Sequence, residues 1–432
     1  MNIDKLKQKI LDLAIIGKLV PQDPNDEPAS VLIDRIREEK KKLIKQGKIK
    51  AEKEESYIYK GSDNCYYENN KKIKFIEPLK TENNIVWIKG KDFILPMESI
   101  KPKGEYFNYI DIDSIDNKNN IVKDIKKILV QNAPSRASRK VYSSSTLFSM
   151  VRPYLRNIAK INKEYENCIA STGFYVCSPM SFVDENYLFL LMTSNYVVNS
   201  LNNFMKGDNS PSINKHNLED LYYPIPSIKY QRKIVNIIRK IFSAIDKIRL
   251  NYLELDCLIK QLKTNILNIT FGENSSYKSY YEKEEKLSQL FYKISTINKE
   301  VKIKEIFKNG KYPVVSQSKQ LIDGYYNNVN KLIKDIPVIV FGDHTKVVKH
   351  ICFPFIPGAD GTKILKPKID SKYLYYCSLF ASNKIENRGY GRHFSKFKNI
   401  RVPITNKEIQ NKICNYLDKI FDLVDTISSH NN

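Results

Sequence analysis

Apolar residues in the middle of the chain recur with alternating spacings of four and three, which is typical of a long amphipathic helix with one continuous seam. The members of this seam are Ile234, Ile238, Ile241, Ile245, Ile248, Tyr252, Leu255, Ile259, Leu262, Ile266 and Ile269. A helix over roughly residues 229–270 would be about 60 Å long at ~1.5 Å per residue. That length predicts a rigid spacer rather than one wall of a small core.

The segment that begins this helix occurs twice in the chain. Residues 218–246 align without a gap with residues 397–425, at an offset of 179, and ten of the 29 aligned positions are identical. Each copy is a strand punctuated by proline that runs into an amphipathic helix. The chain is therefore a tandem duplication, and two copies of one module predict two similar ligand sites.

The second copy of the seam is divided between the two ends of the chain. Its first half matches Ile234 to Ile248 and consists of Ile413, Leu417, Ile420, Val424 and Ile427. Its second half keeps the register of Ile259 to Ile269 and consists of Ile3, Leu6, Ile10 and Leu13. We expect residues 1–16 and 408–428 to lie close together, packed against the central helix as a second, antiparallel spacer. The alternative is ordinary amphipathic helices packed on separate cores.

The remaining segments alternate short apolar runs with turns and helical patterns, which predicts two α+β domains. The first lies between Trp87 and Tyr223, with one helix over residues 187–205, and the second over roughly residues 298–403. A helix that begins near Pro28 and runs to Lys48, and then a mixed-charge connector over 48–84, precede the first domain. A polar stretch at 273–295 precedes the second.

The two domains also resemble one another weakly, because residues 169–179 parallel residues 357–367 and place Gly173 opposite Gly361. The predicted fold class is α+β, with two α/β-type domains separated by two long antiparallel, coiled-coil-like spacer helices in a pseudo-twofold circular organisation.

Composition indicates how many domains the chain can form and argues against a membrane-bound or metal-binding protein. The 432 residues are 42% hydrophobic, enough for two or three domains with cores. The absence of an 18-residue apolar run and of a signal-peptide pattern favours a soluble protein with no membrane partner. The seven cysteines are spread widely and never form CxxC, and the five histidines lack metal-ligand spacing. We expect a reduced, cytoplasmic protein without a metal site.

The net charge of +23 favours a polyanionic partner such as DNA. Part of the lysine excess reflects A/T-rich codons, so arginine is the more informative cation. Twelve of the 71 basic residues are arginine, and seven of these fall in two acid-free windows, one in each duplicated half. Because arginine suits bidentate contact with guanine edges and phosphates, the two windows predict two DNA-reading surfaces.

Three segments together resemble the specificity subunits of type I restriction-modification systems: the N-terminal string GKLVPQDPNDEPA, the junction LYYPIPS into the long helix, and PSRASR at 134–139. The resemblance covers nearly the whole chain. It implies a non-catalytic subunit whose two target-recognition domains each read one half of a split double-stranded DNA target. Two N6-adenine methyltransferase subunits and two restriction and translocase subunits are the implied protein partners. S-adenosylmethionine and ATP with Mg²⁺ are expected in those partners, and no cofactor is expected in this chain.

The resemblance also implies a division into five segments. These are the N-terminal part of the distal helical region (1–55), the first target-recognition domain (56–227), the central spacer helix (228–272), the second target-recognition domain with its linker (273–405) and the C-terminal part of the distal spacer (406–432). The second recognition domain is shorter and lacks a PSRASR-like string, so contacts do not transfer between the halves by alignment.

Candidate DNA-binding residues follow from the two arginine windows and their neighbouring loops. Those of the first half are Ser135, Arg136, Arg139, Lys140, Arg152, Arg156, Asn209, Ser210 and Lys215. Those of the second half are His344, Lys346, Arg388, Tyr390, Arg392, His393 and Lys396. The alternative for the first set is a basic loop that touches phosphates without reading bases. For the second set it is a plain hairpin with incidental charge.

Motifs for catalysis are missing from the sequence. No NPPY-type methylation motif, GxxxxGK[ST] phosphate loop, GxSxG or HExxH occurs. Asp343 and His344 are neighbours on a strand, so they point to opposite faces and do not form a catalytic pair. Two other hypotheses remain: a methyltransferase or nuclease with an unrecognised site, and a coiled-coil scaffold that binds RNA or polyanions generally.

Overall fold

The computed structural model describes residues 3–23, 26–51, 57–61, 63, 65–68, 71–82, 84–358, 361–386 and 391–429. The chain forms two compact units, Met1–Arg249 and Leu250–Asn432. The division into five functional segments is finer than this division into two units, and it stays a prediction. Among the described residues, no helix has the length and apolar character needed to span a membrane.

The first unit is α+β. Its helices before the long central one are α1 (Ile3–Ile15), α2 (Ala29–Lys45), α3 (Glu185–Met192), α4 (Asn195–Asn202) and α5 (Lys215–Asp220). Its strands are β1 (Tyr57–Lys60), β2 (Tyr66–Glu68), β3 (Lys71–Ile73), β4 (Ile85–Lys89), β5 (Tyr106–Ile110), β6 (Ile115–Asp116), β7 (Ile121–Val122), β8 (Lys126–Leu129), β9 (Ala137–Lys140), β10 (Thr146–Ser149), β11 (Ile158–Lys160), β12 (Ile169–Ser171), β13 (Phe174–Cys177) and β14 (Tyr222–Pro226).

Three larger sheets organise this unit, with strand orders β14-β4-β1-β2-β3, β11-β10-β13 and β8-β5-β12-β9. Helix α1 ends before Gly17 and α2 begins directly after Pro28, as the sequence predicts, but α2 ends at Lys45 rather than at the predicted Lys48. Gly17, with φ +83°, follows α1, a backbone conformation that favours glycine, and Pro28 precedes α2. A buried ion pair between Lys40 and Asp92, 2.6 Å apart, ties α2 to the segment after β4.

The central helix α6 spans Ile228–Phe271, which is 44 residues and about 66 Å at ~1.5 Å per residue. The long helix predicted from the heptads is therefore present. Its seam is not buried throughout, however: Ile234 and Ile238 are buried, whereas Ile248 and Ile269 are half exposed, at 50% and 57%. The last turns of α6 pack into the core of the second unit through Leu267 and Phe271, which lie off the seam, and through the seam residue Ile266.

The second unit is also α+β. Its remaining helices are α7 (Ser371–Asn383), α8 (Phe394–Phe397) and α9 (Lys407–Ser429). Its strands are β15 (Lys283–Lys286), β16 (Phe291–Ile294), β17 (Tyr312–Val315), β18 (Gly324–Tyr326), β19 (Val338–Gly342), β20 (Val348–Ile351), β21 (Ile356–Pro357), β22 (Thr362–Pro367) and β23 (Arg401–Ile404). The sheet orders are β16-β22-β19-β20, β18-β17-β21 and β15-β23.

The predicted duplication is present in the contacts as well as in the elements. Tyr187 of α3 donates its hydroxyl to the carbonyl of Pro224 (2.8 Å), and Tyr373 of α7 does the same to Pro403 (3.0 Å). These two prolines are aligned in the repeat. An aspartate caps each helix in the same way, since Asp184 accepts from the backbone at the start of α3 and Asp370 at the start of α7.

The split seam also has matching contacts in the two units. In the first unit, Lys7 of α1 pairs with Asp246 and lies 5.3 Å from the centre of the Phe242 ring. In the second unit, Lys263 of α6 pairs with Asp425 of α9 and lies 5.1 Å from the Phe421 ring. The sequence repeat aligns these residues in register, so the same kind of helix-to-helix contact occurs once in each unit. The meeting of the two chain ends stays a prediction.

Three segments differ from the sequence-based expectation. The mixed-charge connector predicted at 48–84 contains β1, β2 and β3, whose short lysine- and tyrosine-rich runs give no clear alternation. One helix expected near 187–205 is two, α3 and α4, because Ser194 caps a new helix by accepting from the Val197 backbone. The polar stretch 273–295 contains β15 and β16.

Candidate nucleic-acid interface

The first unit brings four segments together at one end of its sheets, here named the first loop cluster: residues 134–137, 150–157, 171–173 and 206–213. Backbone hydrogen bonds connect them in sequence. The Thr172 amide donates to Arg136 (2.8 Å), the Met150 amide to Gly173 (2.8 Å), and the Arg152 amide to Pro211 (2.8 Å). Residues that are far apart in the sequence therefore share one surface.

The PSRASR segment forms a tight turn that leads into β9. The Ala137 amide donates to the Pro134 carbonyl (2.9 Å), and this turn leaves Ser135 and Arg136 exposed. Arg139 and Lys140 lie on the strand itself. The Arg139 guanidinium is 3.5 Å from the Ser99 hydroxyl, and Lys140 pairs with Glu98 at 2.9 Å.

Lys140 also lies 4.7 Å from the centre of the Tyr142 ring. Hydrogen bonds from Tyr142 and then Lys140 lower the pKa of the Glu98 carboxyl, and contacts with Tyr142 and Glu98 raise the pKa of Lys140. The Lys140 ammonium is thus charged and already paired. Arg136 presents the more available cation of this segment.

Arg152 and Arg156 flank one short turn, both in the left-handed backbone region with φ +48° and +55°. Arg152 donates to the backbone carbonyl of Asn209 (2.6 Å) and so connects 150–157 to the loop at 206–213. Asn209 and Ser210 at the tip of that loop are exposed, as is Lys215, whose Nζ lies 3.9 Å from the Glu219 carboxylate.

Arg156 points into the protein rather than away from it. Its guanidinium donates to the Thr193 carbonyl (2.7 Å) and to the Asn195 side chain, and Asn195 in turn donates to Asp12 of α1 (2.8 Å). Burial lowers the pKa of Arg156. The structure therefore gives Arg156 a structural role that the sequence did not indicate.

The second unit has a corresponding second loop cluster: residues 316–323, 343–347 and 391–396, with Gly358 and Gly361. The Gly358 amide donates to Val315 (2.9 Å), and the Asp343 amide donates to Gly361 (2.9 Å). The His344 amide donates to the Gln317 side chain (3.1 Å). Gly361 has φ +82°, and a β-carbon there would lie 2.8 Å from the His344 ring.

His393 holds the last of these segments in place. Only 2% of its surface is exposed, and its Nδ1 and its backbone amide each contact the Asp343 carbonyl at 2.9 Å. A carbonyl only accepts, so Nδ1 carries the proton. The sequence marked His393 as a polar DNA contact, whereas burial makes it a support for the exposed Arg392 and Lys396 beside it.

The other predicted residues of the second half have mixed positions. His344 and Lys346 are half-buried in the turn after β19, and Lys346 donates to the Ile385 carbonyl (3.0 Å). Arg388 and Tyr390 lie outside the described residues. The cluster also contains Gln317 and the exposed residues Lys319 to Leu321 that follow it. None of these was predicted as a site residue. Their position directly after the β17 strand pattern was the available signal.

The two loop clusters stand on the same strand framework. β10 pairs with β13 so that Ser149 faces Phe174, and β19 pairs with β22 so that Gly342 faces Thr362. A parallel pair completes each framework, β5 with β12 and β17 with β21. The strands in the proposed alignment of 169–179 with 357–367 therefore have matching partners in the two units.

The described residues contain no group of three or more His, Cys, Asp or Glu side chains suited to hold a metal ion. The cysteines among them are all free thiols. The two units share one strand framework, and exposed cations lie in the loop cluster of each.

A family model described as the type I restriction modification DNA specificity domain matches residues 39–255 and again residues 263–432. The chain belongs to this family, and each of its two halves carries one copy of the domain. The two matches agree with the duplication found in the sequence and in the strand framework.

Similar proteins include two specificity subunits from Escherichia coli. A segment of 52 residues is 65% identical to the EcoAI type I restriction enzyme specificity subunit and 64% identical to the EcoEI subunit. These segments cover 12% of this chain and 9% of each relative. The match is thus close over a short stretch that spans less than a tenth of those relatives.

Two solved structures share the fold over most of the chain. One comes from work titled "Structural basis underlying complex assembly and conformational transition of the type I R-M system"; it is 21% identical with a TM-score of 0.65, covering 82% of this chain and 94% of that one. The HsdS subunit from Thermoanaerobacter tengcongensis is 21% identical with a TM-score of 0.54, covering 82% and 93%. At this identity the likeness concerns the fold.

Proposed function

We propose that this chain is the non-catalytic subunit that sets DNA sequence specificity in a bacterial, cytoplasmic type I restriction-modification complex. In this proposal it reads a split target, one half with each loop cluster. The observation that carries the proposal is the repetition of one strand framework in the two units, with exposed cations in the loop cluster of each. Two similar but non-identical surfaces suit two different half-sites.

The exposed side chains divide into two kinds of DNA contact. Lysines such as Lys215 and Lys396 suit phosphate oxygens, which position a protein without reading sequence. Arg136 and Arg392 are exposed and lie in the acid-free windows of the sequence, so they suit bidentate contact with guanine in the major groove. Ser135, Asn209 and Ser210 add short polar groups beside the first of these arginines.

The same proposal assigns catalysis to partner subunits. Two methyltransferase subunits with S-adenosylmethionine, and restriction subunits with ATP and Mg²⁺, would associate with the helical part of the chain. Exposed apolar side chains on α6 support such docking, since a folded protein seldom leaves several large ones on one helix without a partner. They are Leu250, Leu253, Leu258 and Leu262.

Selection from a randomised duplex library tests the proposal. The full chain, assembled with its methyltransferase subunits, should enrich two short defined half-sites separated by a fixed number of undefined base pairs. Binding without any preferred sequence would indicate a general polyanion-binding scaffold. Binding of S-adenosylmethionine by the isolated chain would favour a self-sufficient methyltransferase and contradict the non-catalytic role.

A further inference from the structure

The segment Ser316–Asp323 connects β17 to β18 and lies inside the second loop cluster. The Gln317 carbonyl accepts from the Thr345 hydroxyl (2.7 Å), and the Gln317 side chain accepts from the His344 amide (3.1 Å). The segment therefore lies directly against the turn after β19. No arginine or strong motif marks it in the sequence.

A buried lysine on the neighbouring strand fixes the shape of this segment. Lys349 of β20 is 6% exposed, and its Nζ donates to the Ser316 carbonyl at 2.8 Å and also to the Gln320 carbonyl. Burial lowers the pKa of Lys349, and nearby Asp323 opposes that shift. A buried ammonium costs free energy unless it is well hydrogen-bonded, so this lysine is an unusual choice for a plain β-strand.

Asp323 anchors the segment from its other end. Its carboxylate accepts from the Ser316 amide (2.8 Å) and from the Ser318 hydroxyl. The segment is thus held at its start by the lysine and the aspartate together, and near its tip by the lysine. Fixing a binding loop in one shape before association lowers the entropy lost on binding.

The side chains at the tip of the segment lie outside this network and are exposed. Lys319, Gln320 and Leu321 all face solvent, and Leu321 is 52% exposed despite being apolar. A lysine suits a phosphate, a glutamine amide suits the edge of adenine, and an aliphatic group suits the thymine methyl. The three side chains together have the chemistry of base reading in duplex DNA.

The first unit has nothing comparable at the same place. After the equivalent strand β5, residues Ile112–Ser114 form a short turn capped by Asp111, and the carboxylates of Asp111 and Asp113 are paired with Lys126. That acidic turn is unsuited to DNA. The first unit instead has the PSRASR turn, which the second unit lacks, so the two units fill their clusters from different loops.

Resting on the proposed function, we infer that residues 316–323 form the specificity-determining loop of the second half-site. Gln320 and Leu321 contact bases, Lys319 contacts a phosphate, and Lys349 is the positioning residue that holds the loop in its reading shape. The duplicated framework then carries two unrelated reading elements, one for each half of the target.

The test uses the full chain assembled with its methyltransferase subunits and a randomised duplex library. Gln320→Ala and Leu321→Ala should each make one or more positions of a single half-site degenerate, with discrimination falling roughly 5- to 150-fold, the range for a lost base contact. The other half-site should stay unchanged. Ile303→Ala, at an 84% exposed position of the same unit outside the loop, is the matched control and should alter neither half-site.

Lys349→Met should make positions of the same half-site degenerate, as the tip variants do. Lys349→Arg keeps the charge and the hydrogen-bond donors, so it should keep part of the base preference at those positions. Amide hydrogen exchange in β19 and β20 checks that the Met variant keeps its core. If the unaltered chain selects a split target and both tip variants leave it intact, the inference fails while the proposed function stands. If the unaltered chain selects no split target, the proposed function and the inference fail together.

Discussion

Two arginines of the first loop cluster have opposite surroundings. Arg136 is exposed on the turn before β9, whereas Arg156 donates to Thr193 and Asn195 inside the protein. The sequence placed both in one acid-free window and gave them one role, because a window of residues carries no information about burial. The surroundings in the fold separate a DNA contact from a structural one.

Replacing Arg136 should affect recognition and leave folding intact. Arg136→Ala is expected to weaken binding of one half-site by ~1–3 kcal/mol where a bidentate base contact is lost, and Arg392→Ala to weaken the other half-site similarly. Competition binding with duplexes altered in one half-site at a time measures this. An equal loss on specific and random DNA would mean that these arginines contact phosphates alone.

Replacing Arg156 should affect folding first. Arg156→Ala removes donors from the Thr193 carbonyl and the Asn195 side chain, and leaving such groups unpaired costs about 1–3 kcal/mol of the free energy of unfolding. Denaturant unfolding measures the loss, with Arg136→Ala as a control expected within about 0.5 kcal/mol of the unaltered chain. Full stability together with weakened DNA binding would reverse these assignments.

At the scale of elements, the repeated glutamine offers a matched pair. Gln231 donates to the Phe182 and Pro226 carbonyls (3.0 and 2.8 Å) and accepts from the Asp184 amide (2.7 Å). Gln410, at the same place in the repeat, donates to the Thr405 carbonyl (2.7 Å). Both side chains are buried at the start of their helices, and Gln231 ties α6 to the segment before α3.

Gln231→Ala should therefore destabilise its unit more than Gln410→Ala destabilises the other. We expect Gln231→Ala to lower the free energy of unfolding of its unit by about 1–3 kcal/mol. Gln410→Ala should lower that of the other unit by about 1 kcal/mol or less, because it leaves fewer buried groups unpaired. Amide hydrogen exchange followed by mass spectrometry reports each unit separately. A larger loss for Gln410→Ala would contradict the role given to these hydrogen bonds.

Strong periodicity made the long elements predictable. The heptad seam predicted α6 because its spacing is regular along the sequence. The proline-marked repeat predicted β14, β23 and the starts of α6 and α9 because the same local pattern occurs twice. Strands β1 to β3 were missed because they are defined by pairing, β1 with β4 and β2 with both β1 and β3, rather than by alternation of apolar and polar residues. The loop 316–323 was missed for a related reason: its buried support, Lys349, is 26 residues beyond Asp323.

At the scale of the whole molecule, the chain uses one module twice and changes the loops. The helix contacts of Lys7 and Lys263 match in register, and so do the caps at α3 and α7. The framework is thereby kept while the PSRASR turn in one unit and the 316–323 loop in the other provide different surfaces. The duplication itself was visible in the sequence, whereas the difference between the loops of the two units became visible only in the fold.

If α6 acts as a ruler, its length should set the gap in the target. Two half-sites read from one face of a duplex have centres about one helical turn apart, ~34–36 Å. Inserting seven residues in the exposed stretch from Tyr252 to Asp256 adds ~10 Å and keeps the heptad register. The number of unread base pairs should then rise by about three, at ~3.4 Å each, with both half-sites unchanged.

The selected gap length in a randomised duplex library measures this outcome. A two-residue insertion at the same point, which breaks the heptad register, serves as the contrast and should impair assembly or binding. Altered half-sites with an unchanged gap would show that the helix does not set the spacing.

Methylome sequencing of cells with and without this gene tests the central claim most directly, because it reads the target that the chain specifies inside its own complex. We predict one adenine-methylated motif that disappears with the gene, made of two defined half-sites around a fixed undefined gap, and changed in one half when Arg136 is replaced. A motif that persists without the gene, or a single continuous motif, would contradict the account.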